Sequence, residues 1–255
     1  MLSLKGRTAV VFGVANKRSI AWGIAQKLHA AGATLAVTYQ NERLEKEAKE
    51  LIEALPGAES FCCDVSSDTE IEQLFEMLKS RYGKLHVLVH SVAFAPAEEL
   101  KNDFLFTTRE GFRIAHDVSV YSLIAVTRAA VPLMTEGGSV MTLTYYGAEK
   151  VVPRYNVMGV AKAALEATVR YLAADVGKQN IRVNAISAGP IKTLAARGIA
   201  GLGEMLKAHA ERAPLKRNVD VEEVGNAGLY LASDLSSGIT GEVIYVDCGY
   251  NIMGF

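Results

Sequence analysis

The stretch "RTAVVFGVANKRSIAWGIAQKLHAAGA", residues 7–33, decides the fold class. It opens with an apolar, β-branched run that stops at Gly13, and apolar residues then recur at helical spacing until Gly32. The stretch therefore predicts a buried strand followed by a helix. A strand that is apolar on both faces and leads into a helix is typical of a parallel sheet covered on both sides.

The same alternation repeats along the chain. Further strands are predicted at "TLAVTYQ", "ESFCCDV", "LHVLVHSVA", "GSVMTLTYY", "IRVNAISA" and "EVIYVDCG", and helices at 42–55, 68–83, 155–177 and 221–234. Residues 94–110 are less regular and are predicted to form an extended loop with a short helix. The sequence has no linker, low-complexity tract or internal repeat. We therefore expect an α/β protein in which residues 1–255 form a single-domain, Rossmann-type doubly wound parallel sheet with helices on both faces.

The composition excludes several classes of partner. Lys and Arg together number 27 against 28 for Asp and Glu, and the formal net charge of -1 gives no electrostatic reason to expect nucleic acid or an anionic membrane. The three cysteines lack the number and spacing of a disulfide framework, and the five histidines lack metal-ligand spacing. With neither a signal peptide nor an apolar stretch of roughly 18 residues, we expect a soluble, cytoplasmic protein without membrane insertion or a metal.

Candidate cofactor residues follow the predicted strands, because ligands of doubly wound sheets bind beyond the carboxyl ends of the strands. Gly13 follows the first strand without a complete GxGxxG fingerprint, so a simple turn glycine is an equal alternative. Ser19 is a candidate N-cap, and the helix after it would present unpaired amides to a pyrophosphate.

Gln40 stands at the end of the second strand, where NAD-binding proteins commonly carry Asp or Glu. A neutral amide can still bond ribose hydroxyls, whereas a 2′-phosphate calls for Arg or Lys, and the nearest base is Arg43. We therefore expect NADH/NAD as the cofactor rather than NADPH. Asp64 and Val65, after the third strand, would flank adenine; the alternative is that Asp64 only caps the next helix.

The stretch "TYYGAEKVVPRYNVMGVAK", residues 144–162, carries the candidate catalytic residues. It resembles the short-chain dehydrogenase/reductase family, whose rule is Tyr-x-x-x-Lys on a helix with a serine on the preceding strand. By that rule the lysine would follow Tyr155 at residue 159, but that residue is Gly159 and the lysine is Lys162. Seven residues return a helix to within about 20° of its starting direction, so Tyr155 and Lys162 still share a face. Counted back from the lysine, Tyr145 stands at the serine position.

This pattern resembles a divergent branch of that family, the bacterial NADH-dependent enoyl-(acyl-carrier-protein) reductases. The similarity also includes "FGVANKRSIAWGIA", "YQNE", "CDV", "HSVAFAP", "RVNAISAGPIKTLAA" and "GEVIYVDCGYNI", and it covers essentially the whole chain. It implies an oxidoreductase of fatty acid biosynthesis that transfers hydride from NADH to the β-carbon of a trans-2-enoyl thioester on acyl carrier protein. It also implies a homotetramer and a substrate-binding lid around residues 191–212.

The resemblance assigns roles to individual residues. Tyr155 would donate a hydrogen bond to the enolate oxygen, while the Lys162 ammonium would favour the anionic phenol and hold the nicotinamide ribose. Tyr145 would line the acyl site, Ala95 would lie near the substrate, and Tyr146 would either touch the acyl channel or only pack. The implied cofactor contacts are Gly13, Ser19, Ile20, Gln40, Asp64, Val65, Val92, Lys162, Ile191, Lys192, Thr193, Leu194 and Ala195.

Two alternatives to an enoyl reductase remain open. A carbonyl reductase of the wider family would share the fold and the cofactor. A nucleotide-sensing binding protein could also use this fold, because a fold alone does not establish function. A sensor has no need to keep Tyr155 and Lys162 together, so the sequence favours an enzyme.

Overall fold

The computed structural model describes residues 2–193 and 201–254, which contain one seven-stranded sheet. Its strands are β1 Thr8–Phe12, β2 Thr34–Tyr39, β3 Glu59–Cys62, β4 Val87–His90, β5 Gly138–Thr144, β6 Ile181–Ala188 and β7 Val243–Val246. They lie in the order β3-β2-β1-β4-β5-β6-β7, and every neighbouring pair is parallel. The predicted doubly wound α/β architecture is confirmed.

Nine α-helices accompany these strands in the same two ranges of the chain. They are α1 Ile20–Ala30, α2 Glu42–Ile52, α3 Asp68–Tyr82, α4 Ala97–Lys101, α5 Arg109–His116, α6 Ser122–Ala130, α7 Asn156–Val176, α8 Leu202–Arg212 and α9 Val221–Ala232. A π-helical segment, Asp117–Tyr121, joins α5 to α6. The irregular stretch 94–110 holds the short α4 and a 3₁₀ turn at Phe104–Phe106, in agreement with the sequence-based expectation.

The strands bury both of their faces, as the first stretch predicted. In β1, Val10 and Phe12 belong to the core shared with α3, α6 and α7, while Ala9 and Val11 belong to the core shared with α1 and α9. All four side chains are completely buried. Helices therefore cover both faces, and the carboxyl edge of the sheet is where a ligand binds in this architecture.

The strand order reverses at β1, which pairs with β2 on one side and with β4 on the other. Phe12 and His90 are register partners at the ends of β1 and β4, and the chain continues into Gly13 and Ser91. Gly13 has φ +92°, and a Cβ at this position would overlap the carbonyl oxygen of Ser91. Only glycine permits both features, so Gly13 lets the two strand ends approach at the crevice.

In the described part of the chain, one helical run, Arg109–Leu133, is 25 residues long and apolar enough by length and composition to cross a membrane. Half of its most apolar window is buried inside the protein. Leu123 and Val126 of this run are completely buried in the core shared with α3 and α7. Such packing is that of a core helix, and core helices pass the same test of length and composition.

Candidate active site

A cavity of about 590 Å³ opens at the carboxyl ends of β1 to β5, within the size range of about 300–1,000 Å³ typical of ligand sites. Nine of the predicted cofactor residues line it: Gly13, Ser19, Ile20, Gln40, Asp64, Val65, Val92, Lys162 and Thr193. Ile191 and Lys192 instead line a second cavity, of about 370 Å³, beside α8. Leu194 and Ala195 lie outside the described residues. The parallel topology thus brings together residues that are far apart in the sequence.

The N-terminus of α1 faces this cavity through Ser19 and Ile20. Ser19 occupies the predicted N-cap position, and its hydroxyl does not cap the helix but donates back to the carbonyl oxygen of Asn16 at 2.7 Å. The first turn of α1, described in full, carries no acidic residue. The first amides of a helix have no intrahelical partners, so this end of α1 offers donors and a positive dipole to an anion.

Gln40 and Asp64 form a hydrogen-bonded pair at the cavity wall. The Gln40 amide nitrogen donates to one carboxylate oxygen of Asp64 at 3.0 Å, and the Ser66 amide and hydroxyl donate to the other at 2.9 and 2.7 Å. Burial opposes ionisation of Asp64, but the bonds from Ser66 and Gln40 outweigh it and lower its pKa. The alternative role of Asp64 as a helix cap is wrong, since the N-cap of α3 is Ser67.

Lys162 lies on α7 and is only 5% exposed. Its Nζ donates to the carbonyl oxygen of Leu143, near the end of β5, at 2.7 Å. Burial lowers the pKa of this ammonium from 10.5 to about 8, while the carboxylate of Glu166 acts in the opposite direction. An ammonium has three N–H donors, so two remain for a ligand in the cavity that Lys162 lines.

His90, at the end of β4, belongs to a buried network that sequence reasoning assigned no function. Its Nδ1 lies 2.9 Å from the Thr142 hydroxyl and its Nε2 lies 2.8 Å from the Ser122 hydroxyl. Burial, aided by the charge of Lys162, lowers the pKa of His90 to about 3. The ring is therefore neutral near pH 7, and it links β4 and β5 to the start of α6.

Tyr155 lies at the N-cap position of α7, with right-handed backbone angles of φ −90° and ψ −25°. Its side chain is 8% exposed and packs edge to face against Tyr145, with ring centroids 5.0 Å apart. Burial raises the pKa of the Tyr155 phenol above its ordinary value, and Tyr145 adds to the effect. Lys162 was expected to favour the anionic phenol, but desolvation sets the direction of this shift, so the hydroxyl keeps its proton.

Two glycines explain why the lysine does not follow Tyr155 at the ordinary spacing. A Cβ added at Gly159 would lie 2.9 Å from the carbonyl oxygen of Gly147 and 3.7 Å from Cδ1 of Tyr155. A Cβ added at Gly147 would lie 2.5 Å from Cδ1 of Tyr155. The backbone at Gly147 thus packs directly on the Tyr155 ring, and this packing leaves no room for a lysine at position 159.

The predicted substrate residues come together around Tyr155. Tyr145 and Ala95 both pack on the cluster that contains Tyr155. The Tyr145 hydroxyl donates to Sδ of Met205 on α8 at 3.4 Å, and burial raises the pKa of Tyr145 to about 12. Tyr146 points elsewhere and packs edge to face on Tyr250, with ring centroids 5.8 Å apart. Of the two roles considered for Tyr146, the structure supports packing.

A buried carboxylate beside Lys162 was also missed from the sequence. Glu166 is 9% exposed and accepts a hydrogen bond from the hydroxyl of Thr144 at 2.7 Å. Burial raises the pKa of Glu166, although the Thr144 bond opposes the shift. The available signal was its position one helical turn after Lys162, on the same face of α7. Glu166 is therefore an ionisable neighbour of the lysine inside the protein.

Known proteins resemble this chain over its full length. The family described as "Enoyl-(Acyl carrier protein) reductase" matches residues 13–251. The NADH-dependent enoyl-(acyl-carrier-protein) reductase FabI of Bacillus subtilis is 57% identical over 252 residues, which span 98% of each chain. The corresponding FabI of Aquifex aeolicus is 51% identical over 252 residues, 98% of this chain and 93% of that protein.

Solved structures agree with this similarity. The Bacillus cereus enoyl-acyl carrier protein reductase with NADP⁺ and indole naphthyridinone has a TM-score of 0.98 at 52% identity, and both chains are covered completely. The Anaplasma phagocytophilum reductase in complex with NAD has a TM-score of 0.94 at 46% identity, covering 99% of this chain and 94% of that one.

The family match includes both the strand ends that line the large cavity and the segment that carries Tyr145, Tyr155 and Lys162. The same fold recurs in the solved relatives from Bacillus cereus and Anaplasma phagocytophilum. The resemblance inferred from the sequence is therefore confirmed. Because the family match spans residues 13–251 and the relatives match almost from end to end, this chain belongs to the enoyl-(acyl carrier protein) reductase family.

Proposed function

We propose that this protein reduces the trans-2 double bond of an enoyl thioester on acyl carrier protein, with NADH as the hydride donor, in type II fatty acid synthesis. One observation carries the proposal. Lys162 lines the large cavity, while the protonated phenol of Tyr155 lies seven residues earlier, buried against Tyr145. A phenol that keeps its proton suits stabilisation of an oxyanion rather than abstraction of a proton from an alcohol.

The residues of the cavity fit a dinucleotide. The first turn of α1 offers amide donors without a competing carboxylate, which suits a pyrophosphate. The Asp64 carboxylate stands beside Gln40, so a 2′-phosphate there would meet a negative charge; this supports NADH over NADPH. When bound, NADH supplies the hydride for the β-carbon of the substrate, and a proton taken up at the α-carbon completes the saturated acyl thioester.

The chain's own residues would stabilise the charge that develops on the substrate. We assign to the Tyr155 hydroxyl a hydrogen bond to the thioester oxygen, which strengthens as that oxygen becomes negative. Burial favours this bond, because low local polarity strengthens electrostatic interactions. The two remaining donors of Lys162 would hold ribose hydroxyls, with its third donor anchored on Leu143.

The substrate would lie between Tyr155, Tyr145 and Ala95, which share one apolar cluster. Residues 191–212 would form the lid over it. Met205 of α8 contacts the Tyr145 hydroxyl, so the described part of this segment already reaches the cluster. A lid that closes over substrate excludes water from a developing charge.

The protein would work as a cytoplasmic homotetramer without nucleic acid or membrane insertion. Val160 and Tyr171, on α7, are 39% and 77% exposed, which supports contact between subunits along this helix. The balanced net charge of -1 supports the absence of a polyanionic partner. Size-exclusion chromatography with light scattering would measure the number of subunits.

One assay separates the proposed activity from its alternatives. NADH oxidation would be followed by absorbance, first with an enoyl thioester such as crotonyl-coenzyme A and then with a 3-oxoacyl thioester. We expect oxidation with the first substrate. Oxidation with the second alone would identify a carbonyl reductase, and NADH binding without turnover of either would identify a binding protein.

A further inference from the structure

The backbone on both sides of Tyr155 has an unusual conformation. Arg154 has φ +65° and Asn156 has φ +41°, both in the left-handed region, while Tyr155 between them is right-handed. Residues other than glycine rarely adopt a positive φ, although asparagine tolerates it better than most. The backbone conformation of Arg154 and Asn156 therefore sets the direction of the Tyr155 side chain.

The side chain of Asn156 holds this conformation in place. Its amide nitrogen donates to the carbonyl oxygen of Asn102 at 2.7 Å and to that of Glu99 at 3.3 Å. Both carbonyls belong to the C-terminal end of α4, where helix carbonyls lack intrahelical partners. Asn156 therefore joins the start of α7 to the end of α4.

Helix α4 is itself fixed to α5. The Glu99 carboxylate is 7% exposed and accepts from the Thr108 amide at 3.1 Å and from the Thr108 hydroxyl at 2.5 Å. A Cβ at Gly111 would overlap the Glu99 side chain, so α5 approaches α4 closely. The helix that Asn156 contacts is thus itself held against α5.

The segment around α4 also contacts the apolar cluster that contains Tyr155. Helix α4 begins at Ala97, just after Ala95, and Ala95 packs on the cluster that includes Tyr155. Asn156 is consequently bonded to the element that follows Ala95 and is covalently next to Tyr155. Its two hydrogen bonds therefore connect the start of α7 to the segment that carries Ala95.

We infer that Asn156 is a positioning residue that aims the Tyr155 hydroxyl at the substrate, an inference that rests on the proposed function. It touches neither substrate nor cofactor in this scheme. It acts through Tyr155 by coupling the left-handed turn at the start of α7 to α4.

Two substitutions distinguish the effect of the backbone conformation at position 156 from the effect of the side-chain amide. Asn156→Gly keeps the positive φ at no steric cost but loses both hydrogen bonds. Asn156→Asp keeps the shape of the side chain but presents a carboxylate to the two carbonyl oxygens of α4. The matched control is Asn180→Gly, because Asn180 also has positive φ, at +58°, but lies in the connection between α7 and β6.

The experiment measures kcat, KM for crotonyl-coenzyme A, Kd for NADH and the melting temperature of each variant. A displaced hydroxyl reduces kcat, and a misplacement of about 1 Å costs about 100-fold. We expect kcat to fall about 10- to 100-fold in both Asn156 variants, with the Kd for NADH unchanged. Asn180→Gly should keep the wild-type kcat.

A double-mutant cycle with Tyr155→Phe tests whether Asn156 acts through the hydroxyl. In the Tyr155→Phe background, Asn156→Gly should reduce kcat by less than about 2-fold, because the group that it positions is already absent. An equal loss of kcat in both backgrounds overturns the inference, as does an unchanged kcat in Asn156→Gly. Failure of the wild-type protein to oxidise NADH with the enoyl thioester would contradict the proposed function instead.

Discussion

The packing of Gly147 on Tyr155 predicts the effect of adding a single methyl group. In Gly147→Ala the new Cβ would lie 2.5 Å from Cδ1 and 3.0 Å from Cε1 of the Tyr155 ring. Carbon atoms attract one another best at about 3.5–4.0 Å, so the ring must retreat by about 1 Å. Gly147 has no positive φ, so the backbone itself accepts alanine. The change therefore acts on the position of the ring.

The ring has few directions in which to move. Tyr145 packs against it with centroids 5.0 Å apart, and Val157 and Met158 are buried in the same cluster. A misplacement of about 1 Å costs about 100-fold in rate, which corresponds to about 2.7 kcal/mol in the activation barrier. We expect Gly147→Ala to lose about 100-fold in kcat with crotonyl-coenzyme A and to bind NADH with unchanged affinity.

The matched control is Gly177→Ala. Gly177 has φ −57° at the C-terminal end of α7, and a methyl group added there would have no atom within 4 Å apart from its own helix and chain neighbours. Steady-state NADH oxidation, NADH titration by fluorescence and thermal unfolding would be measured for both variants. A Gly147→Ala enzyme that is fully folded and has wild-type kcat would refute the idea that this contact sets the position of Tyr155.

Three further predictions concern the cofactor and the phenol. Tyr155→Phe should lower kcat by about 100- to 1,000-fold, the effect of removing one donor to an oxyanion, and NADH titration should give an unchanged Kd; a weakened Kd would contradict the assigned role. Because burial lowers the pKa of Lys162 to about 8, its ammonium is present below that pH and is lost above it; the Kd for NADH should rise as pH passes through about 8, and a Lys162→Met variant should show no such rise. Gln40→Arg should shift the ratio of kcat/KM for NADPH over NADH upward, because a cation beside Asp64 offsets the carboxylate; an unchanged ratio would argue against a ribose role for Gln40.

Much of the cofactor crevice could be predicted from the order of strands and helices. Gly13, Gln40 and Asp64 each follow a strand, and parallel strands place their carboxyl ends along one edge. To predict that these residues meet, one needs only the spacing of apolar residues along the chain and the parallel topology that this spacing favours. Ile191 and Lys192 deviate, since they follow β6 but face the second cavity.

The supporting contacts could not be predicted in this way. The structure contains bonds from Asn156 to α4, from His90 to Thr142 and Ser122, and from Thr144 to Glu166, and each joins residues at least 22 positions apart in the sequence. Whether two polar groups meet depends on how helices pack, and a single sequence carries no direct signal of that packing.

By itself the sequence determined the fold class, the identity of Tyr155 and Lys162, and the presence of glycine where the ordinary family has its lysine. Only the tertiary structure decided why that glycine is required, because the carbonyl oxygen of Gly147 approaches position 159 across a turn of chain. The structure also decided the direction in which the pKa of Tyr155 shifts, which is upward. Charge is a property of residue type, which the sequence contains, but desolvation depends on the neighbours that folding brings around a group, and at Tyr155 burial is the larger effect.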